Sequence, residues 1–261
     1  MNKTKAFFRR EGDHFVGNDA ARGPWSERAC HAGPVTGVIA GALEQLLPHK
    51  QLARITVRYM RPVPLAGFSV SVSTIFERRV ASYTSAKLVD VDGKVCAEAE
   101  GLHLVPESIG DTPTADASAP LFSESTLGRF PVQDALHDKP FFGSEIEIAY
   151  PPDQDTDPGP TTLWMRAPAI VEGETPSPFQ TLCPLADCAN GISRNSEFLH
   201  VSCVNPDLTI VVHRLPESDW LASRAISFWE PNGVGSTNAI LFDERGAIGS
   251  ALQTLVLRHV D

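Results

Sequence analysis

Two stretches of this 261-residue chain read as the same hairpin. One is KLVDVDGKVCAEAEGLHLV, residues 87–105; the other is AILFDERGAIGSALQTLVL, residues 239–257. Each has an apolar strand, an acidic turn closed by glycine, and a long second strand, the pattern of a tight antiparallel hairpin. Aligning Gly93 with Gly246 needs no gap and sets Glu100 opposite Gln253. One such hairpin is common. The same hairpin at the end of each half points to internal duplication, and a duplicated chain of this length suits two packed halves better than a single core.

The boundary between the halves is compositional. Residues 106–140 carry Pro106, Pro113, Pro120, Pro131 and Pro140 among many Ser, Thr and Asp, with no sustained apolar period, and read as a linker. Residues 1–105 then form one unit and 141–261 the other. In the first, residues 34–47 (PVTGVIAGALEQLL) have helical apolar spacing, with Pro34 suited to a first turn. Strands follow at 54–60, 68–77, 83–91 and 94–105. In the second, segments 144–149 and 162–165 read as strands, with 150–160 a polar loop between them. Residues 184–192 (PLADCANGI) read as a short helix, followed by strands at 198–204, 208–214, 220–229, 236–242 and 247–258. This is an α+β chain.

Composition removes several functions. A formal net charge of −10 and a pI near 5.3 work against non-specific nucleic-acid binding. An anionic ligand remains open, because local arginines override an average. Arg22, Arg54, Arg58, Arg61, Arg78 and Arg79 crowd the first third, and solvated strand faces are their ordinary role. Residues 1–10 lack the apolar core of a signal peptide, and no apolar run approaches the roughly 20 residues of a membrane helix. The five cysteines are odd in number, form no CxxC pair and sit in apolar surroundings, which fits reduced thiols in a cytoplasmic protein. No nucleophile elbow, zinc-protease motif, phosphate loop or metal-spaced His/Cys cluster occurs, and neither a metal nor another cofactor is expected. Gly233-Val234-Gly235 is too short for a phosphate loop and reads as a turn.

A few polar residues stand out. Gln253 interrupts the apolar pattern of Ala251, Leu252, Leu255 and Leu257; its amide is suited to orienting a water, and a solvent-facing glutamine is the ordinary alternative. Asp187 lies in the short helix, as a general base or as that helix's cap. Glu100, at the matching place in the first half, reads as a surface charge. His31 precedes the first helix, whose free backbone N–H groups suit a developing oxyanion, and Gly33 would let a carbonyl approach. The helix entry near Pro184 and Leu185 is the competing location. His31 itself reads as a polar lining or capping residue. Arg61, before Pro62 at a strand end, suits a phosphate or a surface ion pair.

Three stretches carry a family resemblance: RGPWSERACHAGPVTGVIAGALE (22–44), VRYMRPVPLAGFSVSVSTIFERR (57–79) and DWLASRAISFWEPNGVGSTNAILFDERGAIGSALQTLVLR (219–258). Their order and spacing resemble the thioesterase II-like acyl-CoA thioesterases. The resemblance implies a tandem (double) hotdog: two antiparallel sheets, each wrapped around a central helix. It also implies hydrolysis of a fatty or related acyl-CoA by an activated water. That family's chemistry is carried by an Asp, a Gln and a Thr or Ser between them. Asp187 and Gln253 match the first two. Counting from Trp220 and Gly235 puts Phe228 at the hydroxyl position with Ser227 beside it, and there the sequence departs from the family. The resemblance further implies Ser227 as a shifted third catalytic residue, and His31, Gly33, Arg61 and Phe228 on the substrate side. Self-association into a homo-oligomer is expected, since paired sheets still expose flat surfaces. Two rival functions remain: a non-catalytic acyl-CoA or acyl-carrier binding protein, favoured by Phe228, and a hydratase or dehydratase, which needs His31 and Asp187 together.

Overall fold

The computed structural model describes residues 6–115, 117–198 and 200–260. Residues 1–5, half of the segment read for a signal peptide, lie outside it, as does Leu199 in the strand expected at 198–204. The first half contains β1 (Ala6–Glu11), β2 (His14–Gly17), α1 (Ala32–Leu46), β3 (Gln51–Tyr59), β4 (Phe68–Glu77), β5 (Ala81–Asp90) and β6 (Val95–Leu104). Then come β7 (Thr126–Gly128), α2 (Phe142–Glu145), β8 (Glu147–Tyr150), β9 (Thr161–Arg166), β10 (Ala169–Val171), α3 (Pro178–Asp187) and α4 (Ala189–Ile192). The chain closes with β11 (Val201–Val204), β12 (Asp207–Val212), β13 (Leu221–Trp229), β14 (Val234–Asp243) and β15 (Gly246–His259).

The strands form one continuous sheet in the order β10-β1-β2-β4-β5-β6-β3-β12-β15-β14-β13-β9-β8-β7, with β11 beside β15. The two expected sheets are therefore joined. The seam is the antiparallel pair β3 and β12, centred where Ile55 faces Ile210 and Thr56 faces Thr209. Their threonine hydroxyls meet across it at 3.1 Å. On either side of the seam the strand order repeats: β3-β6-β5-β4 outward in one direction, β12-β15-β14-β13 in the other. Both hairpins read from the sequence are present, with Gly93 at a positive φ of 78° and Gly246 at 136°.

Alternation along the strands decides which side chains face the helices. Ile55, Val57, Leu88, Ala97, Leu208, Ile210, Leu241 and Ala251 are buried in one core with α1 and α3. Those two helices pack antiparallel. A Cβ on Gly33 would lie 2.8 Å from Pro184 Cα, and one on Gly41 would strike the Gln180 side chain at 2.4 Å. Gly33, Gly37 and Gly41 recur every four residues, so they share one helix face and let α3 approach closely. Gln180 fixes the contact by donating Nε2–H to the Gly37 carbonyl at 3.0 Å. This antiparallel contact brings the start of α1 to the end of α3.

Several expectations change. The second-half helix starts at Pro178, not Pro184; Ser177 caps it, accepting from Gln180 N–H while Gln180 reaches back to Ser177 N–H. Pro184 sits inside α3, so no helix entry exists there for an oxyanion. Residues 106–140, read as a linker, include β7 and the buried Phe130. The hairpin of β1 and β2, turned at Gly12 with φ 61°, was not legible as strands; β1 also pairs in parallel with β10 of the other half.

Candidate active site

Asp187 ends α3 and is 4% exposed. Its position follows from the helix break: α3 stops at Asp187 and α4 restarts at Ala189. Gln253 staples that break. Its Nε2 donates to the Asp187 carbonyl at 3.0 Å, and its Oε1 accepts from Asn190 N–H at 3.1 Å. Gln253 is 1% exposed, on the inner face of β15. Asp187 and Gln253 are thus neighbours in the interior, linked through the backbone of Asp187 rather than its carboxylate.

The carboxylate has two other partners. Asn205, in the turn before β12, donates Nδ2–H to Oδ1 at 2.9 Å and to the Asp207 carbonyl at 3.2 Å. Two acceptors at Nδ2 fix the orientation of that amide. On the other side, His31 Nδ1 stands 3.1 Å from Oδ2. His31 is the N-cap of α1, and its Nδ1 also lies 3.2 Å from Gly33 N. One nitrogen cannot accept from Gly33 and donate to Asp187 together, so the ring's tautomer selects between these bonds. The imidazole stacks on Phe142 of α2, with centroids 3.9 Å apart and planes 11° apart. The site therefore draws on both halves: His31 from one, Asp187, Asn205, Gln253 and Phe142 from the other.

Around this centre the phenol and the thiols stay neutral. Tyr59 is pushed well up by burial and by the Asp187 charge. Thr36 spends its hydroxyl hydrogen on the Ala32 carbonyl, so Tyr59 donates to Thr36 at 2.6 Å. Burial raises Cys30 to about 12, and burial with the Asp187 charge also lifts Cys188 well above the usual thiol range. Cys183 is likewise driven up, by burial first and then by the Glu44 and Asp187 charges. Thiols held protonated are poor nucleophiles. Among the described residues no group of His, Cys, Asp and Glu is placed to hold a metal ion.

Other expected positions fall elsewhere. Ser227 is buried, but its hydroxyl meets Ser193 and Thr237, each at 2.8 Å, not Asp187. Phe228 is 51% exposed on the opposite face of β13, because adjacent strand residues point opposite ways. It does not line the interior site. Gly33 opens no room for a substrate carbonyl, since the backbone of α3 fills the space beside it. Arg61 is exposed and donates to the Val95 carbonyl at 2.8 Å. Glu100 is exposed between buried Ala99 and Gly101, so it does not share Gln253's inward environment. The pairing differs by one residue between the hairpins: Glu100 faces Ser85, whereas Gln253 faces Thr237, the counterpart of Thr84, and this breaks the gap-free equivalence. Asn205 was missed: in VNPD it reads as an ordinary turn residue. An open cleft at the far end of α1, lined by His49, Lys50, Glu77, Arg78 and Arg79, is separate from this centre. Its Lys50 ammonium is already committed to Glu77, the Arg78 carbonyl and Ser82. Among the described residues no helix is long and apolar enough to cross a membrane.

Comparison with known proteins agrees with this architecture. A candidate thioesterase from Novosphingobium aromaticivorans superposes with TM-score 0.75 at 17% identity, covering 97% of this chain and 98% of its own. An acyl-CoA thioesterase II from Mycobacterium marinum gives TM-score 0.63 at 14% identity, with 96% and 94% covered. A protein from Alicyclobacillus acidocaldarius described as having a hot dog fold gives 0.69 at 16%, with 96% and 95% covered. These likenesses show the hot dog fold. No curated protein matches the sequence significantly. The sequence does match descriptions of the acyl-CoA thioesterase N-terminal domain at residues 21–103 and C-terminal domain at 116–257. Matched in order over most of its length, the chain belongs to the acyl-CoA thioesterase family.

Proposed function

We propose that this protein hydrolyses the thioester of a fatty or related acyl-CoA by direct attack of water, with no covalent intermediate. The observation that carries the reading is the Asp187 carboxylate: buried, and held by Asn205 on one oxygen and His31 on the other. A fixed negative charge in a low-dielectric site favours removing a proton from water. Gln253 keeps that carboxylate in place through the α3–α4 break. The first turn of α1 is the favoured source of donors for the developing oxyanion, since helix N-termini carry unpaired N–H groups and partial positive charge. In the same reading the chain is a tandem hot dog of residues 1–105 and 141–261, joined by 106–140. The repeated strand order about the β3–β12 seam supports that division. Exposed Phe228, Ile240 and Leu252 on the outer sheet face support self-association, which sedimentation would test.

The test is thiol release from a panel of acyl-CoAs by wild type, Asp187→Ala and Gln253→Ala. Release by wild type and loss in folded Asp187→Ala supports the reading; no release above background at any chain length defeats it. A second reading has one observation in its favour. His31 and Asp187 lie 3.1 Å apart, the pair that hydration of an enoyl-CoA would use. The same panel, extended to enoyl-CoAs, separates the two: hydration yields a hydroxyacyl-CoA and no free thiol.

A further inference from the structure

We infer that His31, not Asp187, is the group that takes the proton from the attacking water, with Asp187 as its positioning residue. The inference deepens the hydrolase reading and rests on it for the identity of the reaction.

The argument begins with one nitrogen. His31 Nδ1 is 3.1 Å from Asp187 Oδ2. Were Nδ1 unprotonated, its lone pair would face a buried carboxylate oxygen, two acceptors in contact with no hydrogen between them. An ionised Asp187 therefore selects the tautomer with the hydrogen on Nδ1, which donates to Oδ2. The lone pair then lies on Nε2. Among the described residues no hydrogen-bond partner engages Nε2, and it is not among the sealed, unpaired polar atoms. The ring is 12% exposed, enough for Nε2 to meet a small molecule while the rest stays packed.

The ring is also immobilised, as a base must be. Phe142 covers one face at 3.9 Å, and the cap position of α1 fixes the backbone. Asp187 is less suited to meet the water directly. It is 4% exposed, and its oxygens already face Asn205 and His31. The arrangement matches a base oriented by a carboxylate, in which the carboxylate sets the tautomer and stabilises the cation without taking the proton itself.

The step balances as follows. The water oxygen bonds to the thioester carbonyl carbon while one water hydrogen passes to Nε2, leaving an imidazolium beside Asp187. The tetrahedral oxyanion collapses, the C–S bond breaks, and the sulfur leaves with the electron pair. Nε2–H returns its proton to that thiolate. The products are the free acid and the thiol of coenzyme A, and His31 is restored.

Two experiments test this. His31→Asn supplies an amide that can still donate to Asp187 Oδ2 and removes the base. The expected result, on whichever of thiol release or enoyl hydration wild type performs, is a kcat loss of about 10²–10⁴-fold. KM should stay within about threefold, because a proton acceptor adds little ground-state binding. In His31→Ala, added imidazole should restore part of the lost rate. Retention of activity by folded His31→Asn overturns the inference, even though thiol release by wild type would leave the hydrolase reading standing. Independently of activity, ¹⁵N imidazole resonances should report the Nδ1–H tautomer in wild type and its loss in Asp187→Asn. An Nε2–H tautomer in wild type leaves no lone pair for the water, and overturns the inference whether or not the protein hydrolyses any acyl-CoA.

Discussion

Gly33→Ala tests whether the contact between α1 and α3 holds the site together. The added Cβ would lie 2.8 Å from Pro184 Cα, 2.9 Å from the Cys183 carbonyl oxygen and 3.0 Å from the Pro184 oxygen. All three are backbone atoms of α3 and cannot rotate away. Carbon atoms settle at about 3.5–4.0 Å, so the first turn of α1 must retreat by about 0.7 Å. His31 begins that turn, and its 3.1 Å approach to Asp187 would stretch to about 3.8 Å, beyond hydrogen-bond range. Overpacking costs about 1–3 kcal/mol, and the better helix propensity of alanine returns up to about 1 kcal/mol. The net loss is about 1–2 kcal/mol, a fall in Tm of roughly 2–8 °C for a chain of this size. The control is Gly37→Ala on the same face, whose Cβ meets mainly the tip of Ile170 at 2.7 Å, a side chain able to turn. Thermal unfolding and thiol release should separate the two variants, with Gly33→Ala losing stability and most of its kcat. Equal Tm values within about 1 °C, with activity kept in both, would refute the reasoning.

Other outcomes follow from single contacts. Asn205→Ala removes the donor to Asp187 Oδ1 and should lower kcat by about tenfold to hundredfold, read by steady-state thiol release. Ser227→Ala breaks a hydroxyl chain with Ser193 and Thr237 and should cost about 1 kcal/mol, with kcat nearly unchanged; a large kcat loss at constant Tm would return Ser227 to the catalytic set. Burial, then the neighbouring Lys50 and His49 charges, holds His103 down at about 4. The folded state then binds fewer protons than the unfolded chain between about pH 4 and 6.5, so this contribution is complete above that window and shrinks as pH falls through it. His103→Gln, able to face Thr84 but not to take up a proton, should flatten that acid-side loss in urea midpoints measured at pH about 7 and about 5.

What the sequence made legible was what local chemistry dictates. Asp92-Gly93 and the Asp243–Gly246 turn announce their hairpins, and α1 announces itself by spacing. The second-half helix reads from Pro184, although Ser177-Pro178-Phe179-Gln180 already spells a capping box seven residues earlier. Long-range pairing was invisible: β1 needs β10, more than 150 residues away, and its Arg9-Arg10-Glu11 end does not alternate. Glu100 shows the limit of repeat alignment. A slip of one residue leaves the hairpins looking alike and turns a side chain to the other face. Asp187 and Gln253 each stand out locally, but their joint role comes only through resemblance, because nothing local says that a helix end and a closing strand will meet. Asn205 had no signal at all beyond its place in a turn.

The antiparallel contact of α1 and α3 has two ends, and their difference argues for where the chemistry lies. At one end Ser177 caps α3 and donates its hydroxyl to Glu44 of α1 at 2.5 Å. Gln180 completes that end by bonding Ser177 N–H and the Gly37 carbonyl at once. Burial raises the Glu44 carboxyl, and its partner is a hydroxyl already acting as a helix cap. At the other end the cap is His31 and the carboxylate is Asp187. The same cap-to-carboxylate contact recurs, but an imidazole replaces the hydroxyl, and an imidazole has a second nitrogen. A serine in that position is used up by capping. A histidine whose Nδ1–H donates to the carboxylate keeps the lone pair of Nε2 for a substrate, which makes one end of the helix contact a clamp and leaves the other able to move a proton.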